Sequence, residues 1–288
     1  LTDVTTAERM DRVSSHGYAW GYIGSVIPFI AVIAILLGSG QTPSVTAYRV
    51  SFVITAVWWM VFSVPMLRNV KQVHFIDPGP EPLRESIAKI VSTLKNIRGN
   101  RNVFIFLAAY FFYIDGVDTI ISMAAAYGID SGMGTASLIL AILMIQVLAF
   151  PFALLYGRLA DRFSAKNMIF AGIIVYMMIT GLAFFLPDFT SSSSRNIVFW
   201  LLSFMVATSM GGIQALSRSY FGKIIPAEKS AEFFGFYNIF GKFAAIIGPF
   251  LMGLATTLTG SSRYGVLSIL VLFLAGLLIL RRTSETNV

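Results

Sequence analysis

The sequence predicts an all-α membrane protein with eight transmembrane helices, and three observations carry that reading. Eight apolar stretches are each long enough to cross a bilayer, which takes roughly 20 mostly apolar residues at about 1.5 Å rise each. The connections between them alternate between basic and nearly uncharged. Only 12% of residues are charged and 56% are hydrophobic, against about 25% charged in soluble domains. Lipid satisfies no free backbone N–H or C=O, and apolar runs of this length suit helices rather than barrel strands.

Taken in order, the first spans are Tyr18–Leu37 and Val50–Leu67, preceded by Arg9 and Arg12 and followed by Arg68 and Lys71. The connection from 68 to 102 holds a breaker cluster, Asp77-Pro78-Gly79-Pro80-Glu81-Pro82. After it, Leu83, Ile87, Ile90, Val91, Leu94 and Ile97 mark one face of an amphipathic helix, with Arg84, Lys89, Lys95 and Arg98 on the remainder. Such a helix suits either the lipid surface or the underside of the bundle. Six spans follow: Val103–Tyr127, Ala136–Leu155, Met168–Leu186, Ile197–Ala215, Phe233–Leu254 and Tyr264–Leu280. Arg158, Arg162 and Lys166 separate the fourth from the fifth, Arg218, Lys223 and Lys229 the sixth from the seventh, and Arg281 and Arg282 close the eighth. The opposite side holds only Arg49, Arg195 and Arg263, and Lys242 lies inside a span. Positive residues stay inside, so both ends are expected in the cytoplasm.

The chain opens on Leu1 rather than Met, which marks it as an expected fragment. An internal echo agrees. The segment from Glu8 and the segment from Glu228 align at a shift of 220, pairing Glu8 with Glu228, Gly21 with Gly241 and Ile27 with Ile247. Spans one and two then correspond to spans seven and eight. The unit is six helices, and parallel six-helix repeats are the plan of major facilitator transporters. The expected divisions are 1–67, the last two helices of an N-terminal bundle; 68–102, a cytoplasmic linker; and 103–288, a complete C-terminal bundle.

Specific phrases carry a resemblance. Gly157-Arg158-Leu159-Ala160-Asp161-Arg162 resembles the major facilitator loop signature G-x-L-A-D-R. Tyr113 to Thr119, Gly212 to Ser219, Phe233 to Tyr237 and Ser14 to Gly24 resemble segments of the vacuole-effluxer-like branch, the autophagy-related amino-acid effluxers. The resemblance implies a major facilitator-type helical bundle of twelve spans, of which this chain holds five to twelve. It implies secondary active transport of a small polar solute, with amino acids as the implied class and proton coupling expected. It also implies that Gly157, Asp161 and Arg162 form a gating loop. Three positions depart from the pattern: Ile114 replaces an Asn, Asp118 a Gln, and Ser164 the glycine of the loop's turn. The rival reading is a non-transporting membrane scaffold or sensor.

Asp115, Asp118 and Lys242 are the ionisable residues within the spans, where a charge faces a cavity or a partner. Asp115 lies about 18 Å from the start of its span and Lys242 about 14 Å from the start of its own. The two are therefore expected to meet as an ion pair linked to proton or solute binding. Gln146, Asn238, Tyr113 and Gln214 are further candidates on the solute pathway. Gly116 either loosens its helix or permits close packing, and the Gly17/Gly21 spacing reads as a helix contact. A carboxylate such as Asp161, facing a helix N-terminus, gains roughly 0.3–1 kcal/mol.

Other chemistries find no support. The only histidines, His16 and His74, are isolated, Gly222-Lys223 lacks the rest of a phosphate loop, and no G-x-S-x-G elbow occurs. No catalytic residue, metal or cofactor is expected, and the absence of cysteine excludes disulfides. The net charge of +7 sits in connections rather than on a basic face, so nucleic acid is not an expected partner. The expected partners are the lipid bilayer, a small solute and protons, with the full-length protein a monomer. A bacterial cell membrane is the preferred location, with a vacuolar membrane the alternative.

Overall fold

The computed structural model describes residues 1–40, 43–71, 73 and 99–284. The expected amphipathic helix of 83–97 lies outside the described residues. Among the described residues, ten α-helices build eight spans: α1 Met10–Gly38, α2 Val45–Asn69, α3 Arg101–Asp130, α4 Thr135–Phe163, α5 Ala165–Phe184, α6 Ser192–Ile224, α7 Ser230–Ala244, α8 Ile247–Thr259, α9 Ser262–Ser268 and α10 Leu270–Leu280. The helices outrun the hydropathy bounds because their polar end turns continue beyond hydrocarbon. At 33 residues, α6 is about 50 Å long against a core of about 30 Å.

Each helix starts and stops for local reasons. The Ser44 hydroxyl accepts from Ala47 N–H at 3.1 Å and caps α2, and Asn100 caps α3 through Val103 N–H at 3.3 Å. Gly260, at φ +70°, ends α8 in the left-handed region that Gly adopts freely. The seventh span breaks at Ala245 and Ile246, dividing α7 from α8. Pro249 causes this, since it has no N–H for the Ala245 carbonyl and its ring would clash there. The internal echo survives in the fold. The 3-10 turns Ala7–Arg9 and Ala227–Lys229 open α1 and α7 at the same shift of 220 positions.

The six later spans share one core, in which Phe106, Tyr113, Tyr176, Phe221 and Phe273 are fully buried. Tyr237 stacks between Tyr110, at 4.2 Å, and Phe221, at 5.0 Å, joining α7 to α3 and α6. Gly276 lets α10 approach α3 so closely that a Cβ there would sit 2.8 Å from Tyr113 Cβ. Gly116 likewise faces the Phe273 ring, so its use is close packing, and α3 runs unbroken past it. The first two spans stand apart. Only 6% of the most apolar window of each is buried, against 56% for the third. Helix α1 packs on α4 and α6, and α2 leans on α1.

Candidate functional site

A cavity of about 730 Å³ lies between α1 and the later helices. Tyr18, Tyr22 and Ser25 line it from α1, where spacings of four and three put them on one helical face. Gln146 on α4 and Gln214 and Arg218 on α6 face them, and Thr119 contributes from α3. Ile142, Ile145, Val206, Met210 and Met252 make much of the remaining wall. The cavity is thus mostly apolar with a few convergent polar groups, as small-molecule sites are.

Those polar groups join α1 to the bundle. The Tyr22 hydroxyl donates to Gln214 Oε1 at 3.2 Å, and the Ser25 hydroxyl donates to Gln146 Oε1. Gly17 and Gly21 open onto the cavity, and a Cβ on either would meet nothing within 4 Å. Their spacing therefore does not mark a tight helix contact, as the sequence suggested.

Toward the basic end the same two sides are closed by charges and small residues. Lys223 Nζ meets the buried Asp11 carboxylate at 2.5 Å, and Arg12 Nε meets Asp161 Oδ2 at 2.6 Å. Ser14 Oγ donates to the Ala215 carbonyl at 2.7 Å. Gly157 lies so near Ser15 that a Cβ would approach within 2.6 Å of the serine Cβ. The loop signature thus touches α1 at two of its residues. Asp161 pairs with an arginine rather than with a helix N-terminus, and Arg162 lies over its neighbour Phe163 at 5.4 Å. The turn itself forms with Ser164 at φ 72°, ψ 152°, a conformation almost confined to Gly.

Asp115 is fully buried, and its partner is not Lys242. Its two oxygens accept from the Gly248 N–H at 2.9 and 3.0 Å, and Thr119 Oγ1 donates to Oδ1 at 3.4 Å. Gly248 is the second residue of α8, so the break in the seventh span presents a helix N-terminus, with its partial positive charge, to the carboxylate. The expected ion pair fails for the same reason. Lys242 lies on the other side of the break and is exposed, and no ion pair within 4.0 Å joins it to Asp115 or Asp118 among the described residues. The carboxylate within electrostatic reach of Lys242 is the half-buried Asp118.

Of the residues expected on a solute pathway, Gln146 and Gln214 line the cavity, and Asp115 touches it through Thr119. Tyr113 is buried and hydrogen-bonded to Ser217 at 2.6 Å, and Asn238 is exposed on α7. Tyr113, Asn238, Asp118 and Lys242 are not among the lining residues. Sequence reasoning missed Tyr18, Tyr22, Ser25, Thr119, Arg218, and the Asp11–Lys223 pair. The signal for the first three was polar spacing along an otherwise apolar span. Among the described residues, no three of His, Cys, Asp and Glu come together as a metal site would need.

The family described as "Vacuole effluxer Atg22 like" matches residues 2–287. The uncharacterised MFS-type transporter YxiO of Bacillus subtilis is 48% identical over 99% of this chain and 66% of its own length. Autophagy-related protein 22-1 of Penicillium rubens is 30% identical over 93% of this chain and 47% of its own. Autophagy-related protein 22 of Saccharomyces cerevisiae is 26% identical over 93% and 56% respectively. The chain thus spans about half to two thirds of these relatives. The crystal structure of FucP, a major facilitator superfamily transporter in the outward conformation, superposes with a TM-score of 0.69 at 15% identity, covering 99% of this chain and 71% of FucP. The chain has the major facilitator fold, is an integral multi-pass membrane protein, and belongs to the Atg22-like vacuole effluxer family.

Proposed function

We propose that this chain is the substrate-binding and gating part of a secondary active transporter that moves a small polar solute by alternating access. Helices α1 and α2 are read as the last two of an N-terminal six-helix bundle, residues 68–102 as the linker, and 103–288 as the C-terminal bundle. The observation that carries the reading is the cavity between α1 and the later helices, closed at the basic end by Asp11–Lys223 and Arg12–Asp161. Positive residues mark that end as cytoplasmic. The arrangement is then an outward-facing state with the inner gate latched by Gly157 and Asp161 of the loop signature on one side and α1 on the other, Arg162 lying beside them over Phe163.

The solute binds among Tyr22, Ser25, Gln146 and Gln214, with Arg218 supplying a positive charge for a carboxylate. Amino acids meet that requirement, and the names of the fungal relatives support the class. Proton coupling is assigned to Asp115, whose charge is held by Gly248, and to Asp118, which lies within electrostatic reach of Lys242. Protonating Asp115 weakens its hold on the half-helix and frees α8 to move. The transporter acts as a monomer in a bacterial cell membrane. The test is counterflow in proteoliposomes bearing the full-length protein, with neutral amino acids at two pH values. Saturable exchange that is lost in Gln146→Ala supports the reading. Folded protein that exchanges none of these solutes at either pH favours the scaffold or sensor instead.

A further inference from the structure

We propose that a groove on the outside of the bundle, between α5 and α10 at its basic end, holds an anionic phospholipid of the adjacent leaflet. The groove encloses about 1080 Å³, apart from the central cavity. Its wall has two zones. Phe170, Ile174 and Met178 descend one face of α5 at four-residue spacing, opposite Leu270 and Leu277 on α10. At the mouth stand Lys166 and Arg281.

Each zone selects a part of the occupant. From Lys166 to Met178 is about 18 Å along the helix, close to half the thickness of the hydrocarbon core. Ile174 and Met178 are 48% and 51% exposed, on a surface that faces hydrocarbon. An occupant there must be apolar and about one leaflet long, which describes an acyl chain. At the mouth, Lys166 Nζ donates to the carbonyls of Arg281, at 3.4 Å, and Thr283. Those carbonyls orient the ammonium without neutralising it, and no carboxylate lines the groove among the described residues. Arg281 is exposed beside it. The floor is fixed, because Ser284 exchanges two hydrogen bonds with Asn102, at 2.9 and 3.0 Å, and accepts a third from Tyr220 at 3.1 Å. Two cations, Lys166 at the start of α5 and Arg281 on the pinned turn after α10, stand above an apolar channel and complement a phosphate carried on an acyl chain. Basic pockets between spanning helices recognise anionic headgroups in this way.

The test titrates detergent-purified full-length protein with phosphatidylglycerol and with phosphatidylcholine of matched chains, following bound lipid by native mass spectrometry. A basic residue near the surface contributes about fivefold to anionic lipid binding. Arg281→Gln therefore weakens phosphatidylglycerol about fivefold and Lys166→Gln/Arg281→Gln about 25-fold, while phosphatidylcholine changes less than about twofold. Arg68→Gln, at the same end but outside the groove, leaves the preference intact. Ile174→Trp fills the apolar zone without touching either cation and lowers binding of both lipids, which keeps the proposal testable if the double variant misfolds. Equal binding of the two lipids, full phosphatidylglycerol affinity in Arg281→Gln, or displacement by glycerol phosphate alone would each overturn the assignment.

Discussion

Gly248→Ala tests whether the junction of the broken seventh span with Asp115 holds the bundle together. A Cβ at position 248 would stand 1.9 Å from Thr119 Oγ1 and 2.8 Å from Asp115 Oδ1, with Thr119 Cβ at 2.9 Å. None of these is the loose end of a flexible chain, so α8 must retreat from α3. Overpacking alone costs about 1–3 kcal/mol. Retreat also stretches the two contacts from the Gly248 N–H, and a hydrogen bond to a charged group is worth about 1.5–3 kcal/mol. Because one N–H makes both contacts they count as a single shared bond, and the sum is about 2.5–6 kcal/mol if it is lost. At about 2–4 °C per kcal/mol, thermal unfolding in detergent should fall by at least about 5 °C. Thr119→Ala removes the closest clash, so the double variant should recover part of that loss, a non-additivity expected of touching residues. Asp115→Asn keeps the shape and one acceptor oxygen, removes the charge and costs about 1 kcal/mol, the difference between a charged and a neutral hydrogen bond. A Gly248→Ala protein that melts with the wild type would refute the geometry on which the proposed coupling rests.

Four more measurements probe other parts of the molecule. Lys242→Gln should change stability by less than about 0.5 kcal/mol in the same melting assay, because the residue is exposed and lacks a close ion pair; a loss like that of Asp115→Asn would restore the charge pairing expected from sequence. Lys223→Gln strands the buried Asp11 carboxylate and should cost toward the lower end of about 3–5 kcal/mol, since the lysine side chain is 29% exposed. These 288 residues hold no cysteine, so in full-length protein cleared of any cysteine elsewhere Gln214→Cys can be labelled selectively, and it should react from one membrane side alone until Lys223→Gln opens the other. Ser164→Gly should raise stability by about 1 kcal/mol, read as a higher melting temperature, by relieving backbone strain of about 1–3 kcal/mol at the loss of a weak cap.

The fold was legible because hydrocarbon imposes few constraints, and length, apolarity and flanking charge report all of them. The site was less so. Asp115 stood out as a charge inside a span, yet its partner is a backbone N–H, which has no letter in the sequence. Pro249 carried the clue, since a proline within a span frees carbonyls and can create a helix N-terminus. Depth counting along an unbroken helix instead directed attention to Lys242. The loop signature flagged Asp161, but Arg12 lies 149 positions away and read only as a topological charge. Tyr18, Tyr22 and Ser25 were obscured by Gly17 and Gly21, which share their face and suggested packing. The Ser164 turn was rightly suspect: it forms, in a strained conformation.

Under the proposed alternating access, two kinds of interface distinguish the helix expected to move. Among the later spans, contact is made by interlocking rings and by glycines that admit them, as at Gly116 with Phe273. Such contacts are lost outright when helices separate, because lipid offers no equivalent close packing. The interface of α1 is different. It includes glycine and ring contacts, Gly157 on Ser15, Gly222 on Met10 and Trp20 edge-on to Phe150, but adds five polar links, Arg12–Asp161, Lys223–Asp11, Ser14–Ala215, Tyr22–Gln214 and Ser25–Gln146, and the main hydrophobic cluster contains none of its buried residues. Each of those polar partners can exchange its protein bond for one to water, so opening from a wet cavity has a small net cost per bond. In the alternating access proposed above, a helix tied largely by exchangeable bonds to a body held by packing is the element expected to rock. The proposed latch at the basic end would then need to supply only a few kcal/mol to set which side is closed.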